Sequence, residues 1–290
     1  MTYRKVAIMM GKREKFANIA KETLEIVKNG LYVNDMKEEV VIEDTIKRSV
    51  ANTVLYTPKD TDALLTQIKP DGTNETIIEV TNDSTLNVAK RLRREGFDKV
   101  LALNFASARN PGGGFLNGSS AQEESLARSS ALYETLISKS EMYQYNRKLK
   151  TCLYSDYMIY SPNVPVFRND EGNLLDEPYI VSFVTSPAVN AGIVRSKESM
   201  VAQNQINHVM KKRIEKILSL GIHHGYETIV LGAFGCGVFK NNPKDVAEYF
   251  KEAIHNNPKL QNQYKKIVFA VLDFSEQKQI HNTFNNVLMK

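Results

Sequence analysis

The chain has 290 residues, of which 42% are apolar and 24% are charged, so it has the composition of a globular protein and the length of one large domain or two small ones. This composition excludes a disordered chain, and the presence of only 2 cysteines excludes a disulfide framework. The formal net charge of +5 is compatible with an anionic ligand but too small to indicate a nucleic-acid-binding protein.

The sequence does not indicate a membrane, secreted or metal-binding protein. Its first residues, MTYRKVAIMM, are soon followed by charges and lack the pattern of a signal peptide. No apolar run reaches the roughly 18 residues of a transmembrane helix. The 5 histidines lack metal-ligand spacing, so neither a metal ion nor another cofactor is expected. Cys152 and Cys236 fit a reducing compartment, and we expect a cytoplasmic protein.

The N-terminal segment differs in pattern from the rest of the chain. Residues 12–30 have apolar side chains at helical spacing and end in Gly30, which predicts an amphipathic helix. Short apolar pieces broken by polar residues follow, such as residues 39–43. We therefore predict a helical and irregular accessory region over residues 1–80, packed on a core formed by residues 81–290.

The core alternates between predicted strands and helices. The β-rich runs are residues 77–80, 100–105, 158–160, 180–185, 228–231 and 266–272. The predicted helices are residues 84–95, 125–138 and 201–220, another that opens at Pro243, and a short one at the end of the chain. The run 100–105 is almost wholly apolar, as in a strand buried on both faces. This alternation predicts an α/β fold with a largely parallel sheet covered by helices on both sides.

Two glycine-rich segments follow two of the predicted strands. Residues 106–118 contain three consecutive glycines, and residues 232–239 read GAFGCGVF. Consecutive glycines let the main chain approach a ligand closely, and in a parallel sheet both segments would lie at the carboxyl ends of strands, where ligands bind. Their amides suit phosphate oxygens. Neither is a Rossmann fingerprint or a P-loop, and either alone could be a structural turn.

The helix after the first glycine segment begins with Ser-Ala-Gln-Glu, residues 120–123, which has the form of a capping box. It predicts Ser120 as the N-cap and gives Glu123 a structural role. Glu124 has no such role, although the helix dipole favours any acid in a first turn. A glutamate beside a glycine segment could protonate a leaving oxygen and then activate water, as cleavage of a glycosidic bond requires.

The amino-acid sequence of these segments resembles that of a known family. Asn104-Phe-Ala-Ser-Ala-Arg-Asn-Pro-Gly-Gly-Gly114, then seven residues, then Gln122-Glu-Glu124 is similar to the signature of poly(ADP-ribose) glycohydrolases, closest to the bacterial-type branch. Residues 232–239 resemble the second, diphosphate-binding loop of that branch. Residues 49–58 resemble the accessory region before its core, so the resemblance covers nearly the whole chain. It implies a macrodomain-like three-layer α/β/α fold with a mixed sheet.

The resemblance also implies a role for each candidate residue. Glu124 would be the catalytic acid/base, and Glu123 would orient the substrate through ribose hydroxyls. An asparagine of this region contacts the terminal ribose in the family, and Asn104 and Ser107 are the candidates. The remaining candidates shape the loops or contact the substrate: Gln122, Gly112, Gly113 and Gly114 in the catalytic loop, and Gly235, Cys236, Gly237 and Val238 at the diphosphate, with Phe239 on the adenine. Phe239 could instead be a core aromatic residue.

Three functions fit these features. The first is hydrolysis of poly(ADP-ribose), with ADP-ribosylated proteins as substrates and without binding to DNA or membranes. The others are a macrodomain that binds ADP-ribose without cleaving it, and a hydrolase of another ADP-ribosyl linkage. A binding protein has no need of Glu124. The tyrosine clasp of the animal enzymes is not recognisable, which fits the bacterial-type branch and its action on chain ends but leaves cleavage within chains open. Cys236 is not expected to be a nucleophile, because no histidine is evidently positioned to activate it.

Overall fold

A computed structural model describes residues 11–289, and its centre is a mixed seven-stranded β-sheet. The strands of this sheet are β3 (Val54–Tyr56), β4 (Ile77–Thr81), β5 (Leu101–Phe105), β6 (Met158–Arg168), β7 (Leu174–Ser186), β8 (Thr228–Leu231) and β9 (Lys266–Ala270). Their order across the sheet is β3-β6-β7-β5-β8-β9-β4. Two further strands, β1 (Leu31–Val33) and β2 (Glu39–Val41), form a separate antiparallel pair.

The sheet is parallel over most of its width. Neighbouring strands from β7 to β4 run parallel, whereas β6 is antiparallel to β7 and β3 is antiparallel to β6. The predicted α/β fold with a mixed, largely parallel sheet is therefore confirmed. The predicted strands are also confirmed, although β6 and β7 are much longer than the sequence pattern indicated. Beyond the residues that pair with β3 and β5, these two strands continue as a hairpin in which they pair with each other.

Helices cover both faces of the sheet. They are α1 (Lys12–Asn29), α2 (Glu43–Ala51), α3 (Pro58–Gln67), α4 (Thr85–Arg94), α5 (Gln122–Ser129), α6 (Leu132–Ile137), α7 (Glu141–Lys148), α8 (Ala191–Lys197), α9 (Gln203–His223), α10 (Pro243–Asn256) and α11 (Gln279–Leu288). Alternate residues of a strand point to opposite faces, so Leu101 and Leu103 pack with α9 and α10, while Ala102 packs with α4 and α5. Both faces are buried, which explains the nearly continuous apolar run of β5.

One predicted helix is wrong. The single helix predicted over residues 125–138 is two helices, α5 and α6, because Ser130 adopts an extended conformation between them. Ser130 forms a β-bridge with Val166, and the N–H of Ala131 donates to the carbonyl of Pro165 at 3.2 Å. These partners lie on β6, so the contact that ends the helix is distant in sequence. Helical spacing alone could not reveal it.

The amphipathic helix predicted at the N-terminus is confirmed as α1. It ends at Gly30, whose φ of 72° is the left-handed conformation that glycine adopts at low cost, and whose N–H donates to the carbonyl of Ile26. β3, which precedes residue 80, is an edge strand of the main sheet. The domain boundary at residue 80 stays a prediction. The predicted lack of a signal peptide concerns residues 1–10, which lie outside the described residues.

Among residues 11–289, no helix combines the length and the apolar character that crossing a bilayer requires.

Candidate functional site

The two glycine-rich segments lie side by side at the carboxyl ends of the parallel strands. The first follows β5 and the second follows β8, and these strands are neighbours. The rings of Phe105, at the end of β5, and Phe234, in the second segment, are 5.9 Å apart between centroids. This is the carboxyl edge of the parallel strands, where α/β proteins bind ligands. The tertiary structure therefore forms one site from segments about 110 residues apart in the chain.

The glycine triplet is required by its surroundings. Gly112 and Gly113 have φ angles of 64° and 60°, which side chains other than glycine rarely adopt. A Cβ atom on Gly113 would collide with Oε1 of Glu124 and lie 3.1 Å from Oε2 of Glu123. The backbone of the triplet therefore passes directly over both carboxyl groups, and no side chain covers them there.

Glu124 is held by one oxygen and free at the other. Its residue is 9% exposed, and Oε1 accepts a hydrogen bond of 2.9 Å from the N–H of Gly114. Oε2 is buried, and it has no hydrogen-bond partner in the described part of the chain. A buried carboxyl oxygen without a partner is costly, which is typical of a site that completes its hydrogen bonds with a ligand.

The predicted capping box does not form. Helix α5 begins at Gln122 with Ala121 as its N-cap, and Ser120 makes no side-chain cap. Glu123 instead points to the end of β5, where its Oε2 accepts the N–H of Ser107 at 2.7 Å and its Oε1 contacts Nδ2 of Asn104 at 3.4 Å. The capping prediction was wrong because these partners become available only when β5 packs on α5.

The environment of Glu123 changes its protonation. The residue is 3% exposed, and burial raises its pKa to about 8; the N–H of Ser107 opposes this change and the negative charge of Glu124 adds to it. Glu123 is therefore largely protonated at neutral pH. The two adjacent carboxyl groups thus have different hydrogen-bond partners, the N–H of Ser107 for Glu123 and the N–H of Gly114 for Glu124.

Gln122 joins α5 to the sheet. Its Oε1 accepts the N–H of Phe105 at 2.9 Å, and its Nε2 donates to the carbonyl of Leu103 at 2.8 Å and to Oγ1 of Thr85 at 3.1 Å. The side-chain amide thus bonds to the two backbone groups of β5 that flank Asn104, as the backbone of a neighbouring strand would. These bonds set the position of α5, and hence of the two glutamates that follow.

The second segment presents backbone toward the same edge. Gly235 has a φ of 72° and packs against Ala188 and Asn241, where a side chain would not fit. Asn241 donates to the carbonyl of Gly235 at 3.0 Å and closes the turn. Val238 is 77% exposed. Phe239 is half-buried, and its ring lies 6.0 Å from that of Tyr154 between centroids.

Cys236 lies inside this turn rather than at its surface. It is 8% exposed, its N–H donates to the carbonyl of Ala233 at 3.1 Å, and burial raises the pKa of its thiol to about 12. The reactive form of cysteine is the thiolate, which this environment disfavours. Gly237, the next residue, is exposed and has open space above its Cα.

The structure adds residues that the sequence analysis missed. Ser186 ends β7 beside Phe105, and its Oγ is buried without a hydrogen-bond partner among residues 11–289, as is Oδ1 of Asn104. The hydroxyl of Tyr143 is similarly unpartnered; burial raises its pKa well above the usual value, and the charge of the nearby Glu123 adds to this rise. Only strand pairing and packing bring them together. Arg128, four residues after Glu124 on α5, could have been found from helical spacing.

In the described part of the chain, no three His, Cys, Asp or Glu side chains lie close enough together to bind a metal ion.

Comparison with known proteins identifies clear relatives. Residues 20–169 match the family model described as microbial-type PARG, catalytic domain. The structure of poly(ADP-ribose) glycohydrolase (PARG) from Thermomonospora curvata bound to the inhibitor ADP-HPD is similar to this chain, with a TM-score of 0.88 and 42% identity over 94% of this chain and 99% of that one. The enzyme from Deinococcus radiodurans in complex with ADP-ribose has a TM-score of 0.80 and 39% identity, over 84% of this chain and 96% of that one. A sequence search of curated proteins found no significant match.

Proposed function

This chain belongs to the microbial-type poly(ADP-ribose) glycohydrolase family, and we propose that Glu124 is the acid/base with which it cleaves its substrate. The protein is a glycosidase that binds ADP-ribose and hydrolyses the ribose–ribose O-glycosidic bonds of poly(ADP-ribose). One observation carries the assignment of Glu124: Gly114 holds its Oε1, while its Oε2 is buried and has no hydrogen-bond partner in the described chain.

Glu124 acts twice in the proposed reaction. It first donates a proton to the 2′-oxygen of the leaving ribose while an oxocarbenium-like centre forms at the anomeric carbon. It then takes a proton from the water that attacks this carbon, so the carboxyl group ends the cycle as it began. The N–H of Gly114 supports both steps, because it holds one oxygen still while the other exchanges the proton.

Glu123 orients the ribose in this proposal. With a pKa raised to about 8, it can donate as well as accept a hydrogen bond at neutral pH. Asn104 and Ser107 bond to Glu123 from the end of β5, and Gln122 fixes the start of α5 to that strand. The unpartnered Oδ1 of Asn104 is available to a ribose hydroxyl.

The second glycine segment binds the remainder of the ligand in this proposal. The backbone from Gly235 to Val238 receives the diphosphate, and the ring of Phe239 stacks on the adenine. The position of this segment beside the catalytic loop supports the assignment, because β5 and β8 are adjacent. The glycines of the first loop then enclose the ribose whose glycosidic bond is hydrolysed.

We further propose that the protein removes units from chain ends, that ADP-ribosylated proteins carry its substrate, and that it acts in the cytoplasm without binding DNA or membranes. Cys152 and Cys236 are both free, which suits a reducing compartment. The action on chain ends is inferred from the resemblance of the motif to the bacterial-type branch.

The test is product analysis with two substrates, poly(ADP-ribose) and mono-ADP-ribosylated protein. We expect free ADP-ribose from the polymer, appearing from the earliest time point while the remaining chains shorten gradually. Oligomers in the first minutes would contradict action on chain ends. Release from the mono-ADP-ribosylated protein alone would contradict the polymer as substrate, and binding without release would contradict catalysis.

A further inference from the structure

A buried cation lies next to the proposed acid/base. Arg128, one helical turn after Glu124 on α5, is 6% exposed and forms no ion pair within 4 Å among residues 11–289. Burial lowers the pKa of its guanidinium, and the nearby Glu124 carboxylate opposes this change. An arginine remains charged in proteins, so a buried and unpaired one is costly. Its position therefore calls for a function other than stability.

Three contacts fix Arg128 between α1 and the catalytic loop. Its guanidinium lies 4.3 Å from the ring centroid of Phe16 on α1, in a cation–π arrangement. Its Nη1 donates to the carbonyl of Ser119, and its own carbonyl accepts the hydroxyl of Thr23, also on α1, at 2.6 Å. The side chain thus has one fixed orientation, with its charge directed to the loop rather than to solvent.

A short chain of hydrogen bonds runs from Arg128 to Glu124. The N–H of Ser119, whose carbonyl Arg128 holds, donates to the carbonyl of Gly114 at 3.2 Å. The N–H of Gly114 in turn donates to Oε1 of Glu124 at 2.9 Å. Ser119 therefore links Arg128 to Gly114, the residue that orients the carboxyl group of Glu124.

Helix α1 also contacts the loop directly, next to Ser119. Gly118, just before Ser119, has a φ of 74°, and its Cα packs so closely on the backbone of Arg13 that a side chain would not fit. Nε of Arg13 donates to the carbonyl of Asn117 at 2.9 Å. The helix thus supports the loop over several consecutive residues.

We propose that Arg128 is a positioning residue which, clamped by Phe16 and bonded to Ser119, sets the loop that orients Glu124. The N-terminal helix is then part of the machinery of hydrolysis. This inference rests on the proposed function, because it needs Glu124 as the acid/base. Arg128 does not contact the substrate; it acts through Ser119 and Gly114.

The test compares Arg128→Met and Arg128→Lys with Arg168→Met. Arg168 is a matched control: it is 2% exposed and also bound to α1, through Glu22 at 3.0 Å, but its other partner is the carbonyl of Gly172 in the β6–β7 turn. Both Met variants lose a buried arginine that holds α1. Only one of them loses a bond to the catalytic loop.

For Arg128→Met we expect kcat to fall about 10- to 100-fold, since small displacements of a catalytic group cost this much. ADP-ribose affinity should stay within about 3-fold, and Arg128→Lys, which keeps a charged donor for Ser119, should recover most of kcat. Arg168→Met, which loses the ion pair with Glu22, should leave kcat within about 3-fold whatever its melting temperature. Should Arg128→Met not fold, Phe16→Leu carries the test, with an expected loss of several-fold in kcat and unchanged affinity.

Two results would overturn the inference: an unchanged kcat in folded Arg128→Met, or an equal loss of kcat in Arg168→Met. Glu124→Gln, measured in parallel, separates the role of Arg128 from that of Glu124. If Glu124→Gln is inactive and Arg128→Met is fully active, only the role of Arg128 fails. If Glu124→Gln is active, the proposed acid/base fails, whatever the Arg128 variants do.

Discussion

The N–H of Gly114 donates to Oε1 of Glu124 at 2.9 Å, so the glycine triplet and the glutamate pair form one structural unit. The triplet bends over the carboxyl groups because Gly112 and Gly113 have left-handed backbone conformations, and Gly114 then points its N–H at Glu124. A fixed carboxyl oxygen beside an unpartnered one is a preorganised arrangement for proton transfer.

Glu124→Gln should lower kcat by about 10²- to 10⁴-fold, the usual contribution of a general acid/base. Glutamine keeps an oxygen for the N–H of Gly114 but cannot exchange the proton. The measurement is release of ADP-ribose from the polymer, with ADP-ribose binding by calorimetry as the control for folding. Binding should persist. Activity near the wild-type rate would remove Glu124 from the mechanism.

Gly113→Ala should abolish most activity, because its Cβ would collide with Oε1 of Glu124 and displace the carboxyl group. A loss of about 10²-fold in kcat is expected from such a displacement. The matched control is Gly225→Ala. Gly225 has a similar φ of 69° but open space around its Cα, so this variant should cost roughly 1–2 kcal/mol of stability and leave kcat unchanged. Equal losses of kcat would mean that backbone strain, and not the collision, is responsible.

Phe239→Ala should weaken ADP-ribose binding by roughly 1–3 kcal/mol if the adenine stacks on the ring. Phe97→Ala is the control. Phe97 is a partly buried aromatic before β5, at the opposite edge of the sheet, so its loss should reduce stability without changing affinity. Titration calorimetry of both variants distinguishes the cases. Unchanged affinity in Phe239→Ala, with a lowered melting temperature, would make Phe239 a core residue.

Glu123→Gln should alter how stability depends on pH. The pKa of Glu123 is raised in the folded state from 4.5 to about 8, so ionisation is harder in the folded than in the unfolded protein. The wild type should therefore lose stability as pH rises from about 5 to 8, by up to about 1.4 kcal/mol per pH unit from this group. The Gln variant lacks this loss. Thermal unfolding of both proteins at several pH values in this range measures it, and parallel curves would show that Glu123 is not protonated.

Features that depend on local pattern could be predicted from the sequence. Strands buried on both faces are continuous apolar runs, α1 has apolar residues at helical spacing and a terminal Gly30, and the glycine triplet followed by Gln122-Glu-Glu124 is a contiguous motif. These features were sufficient for the α/β class and for membership of the family. Each of these features depends on residues that are close together in the sequence.

The contacts of individual side chains depend on how distant segments pack together. A capping box was the reasonable local prediction for Glu123, but the N–H of Ser107, brought in by β5, is its actual partner. The apolar periodicity predicts a helix that continues past Ser130, but Ser130 is extended and forms a β-bridge with Val166 on β6. Arg128 faces the loop because α1, more than 100 residues earlier, holds it there. Hydrogen bonds and packing between distant segments form only on folding, and a pattern read along the chain does not contain their geometry.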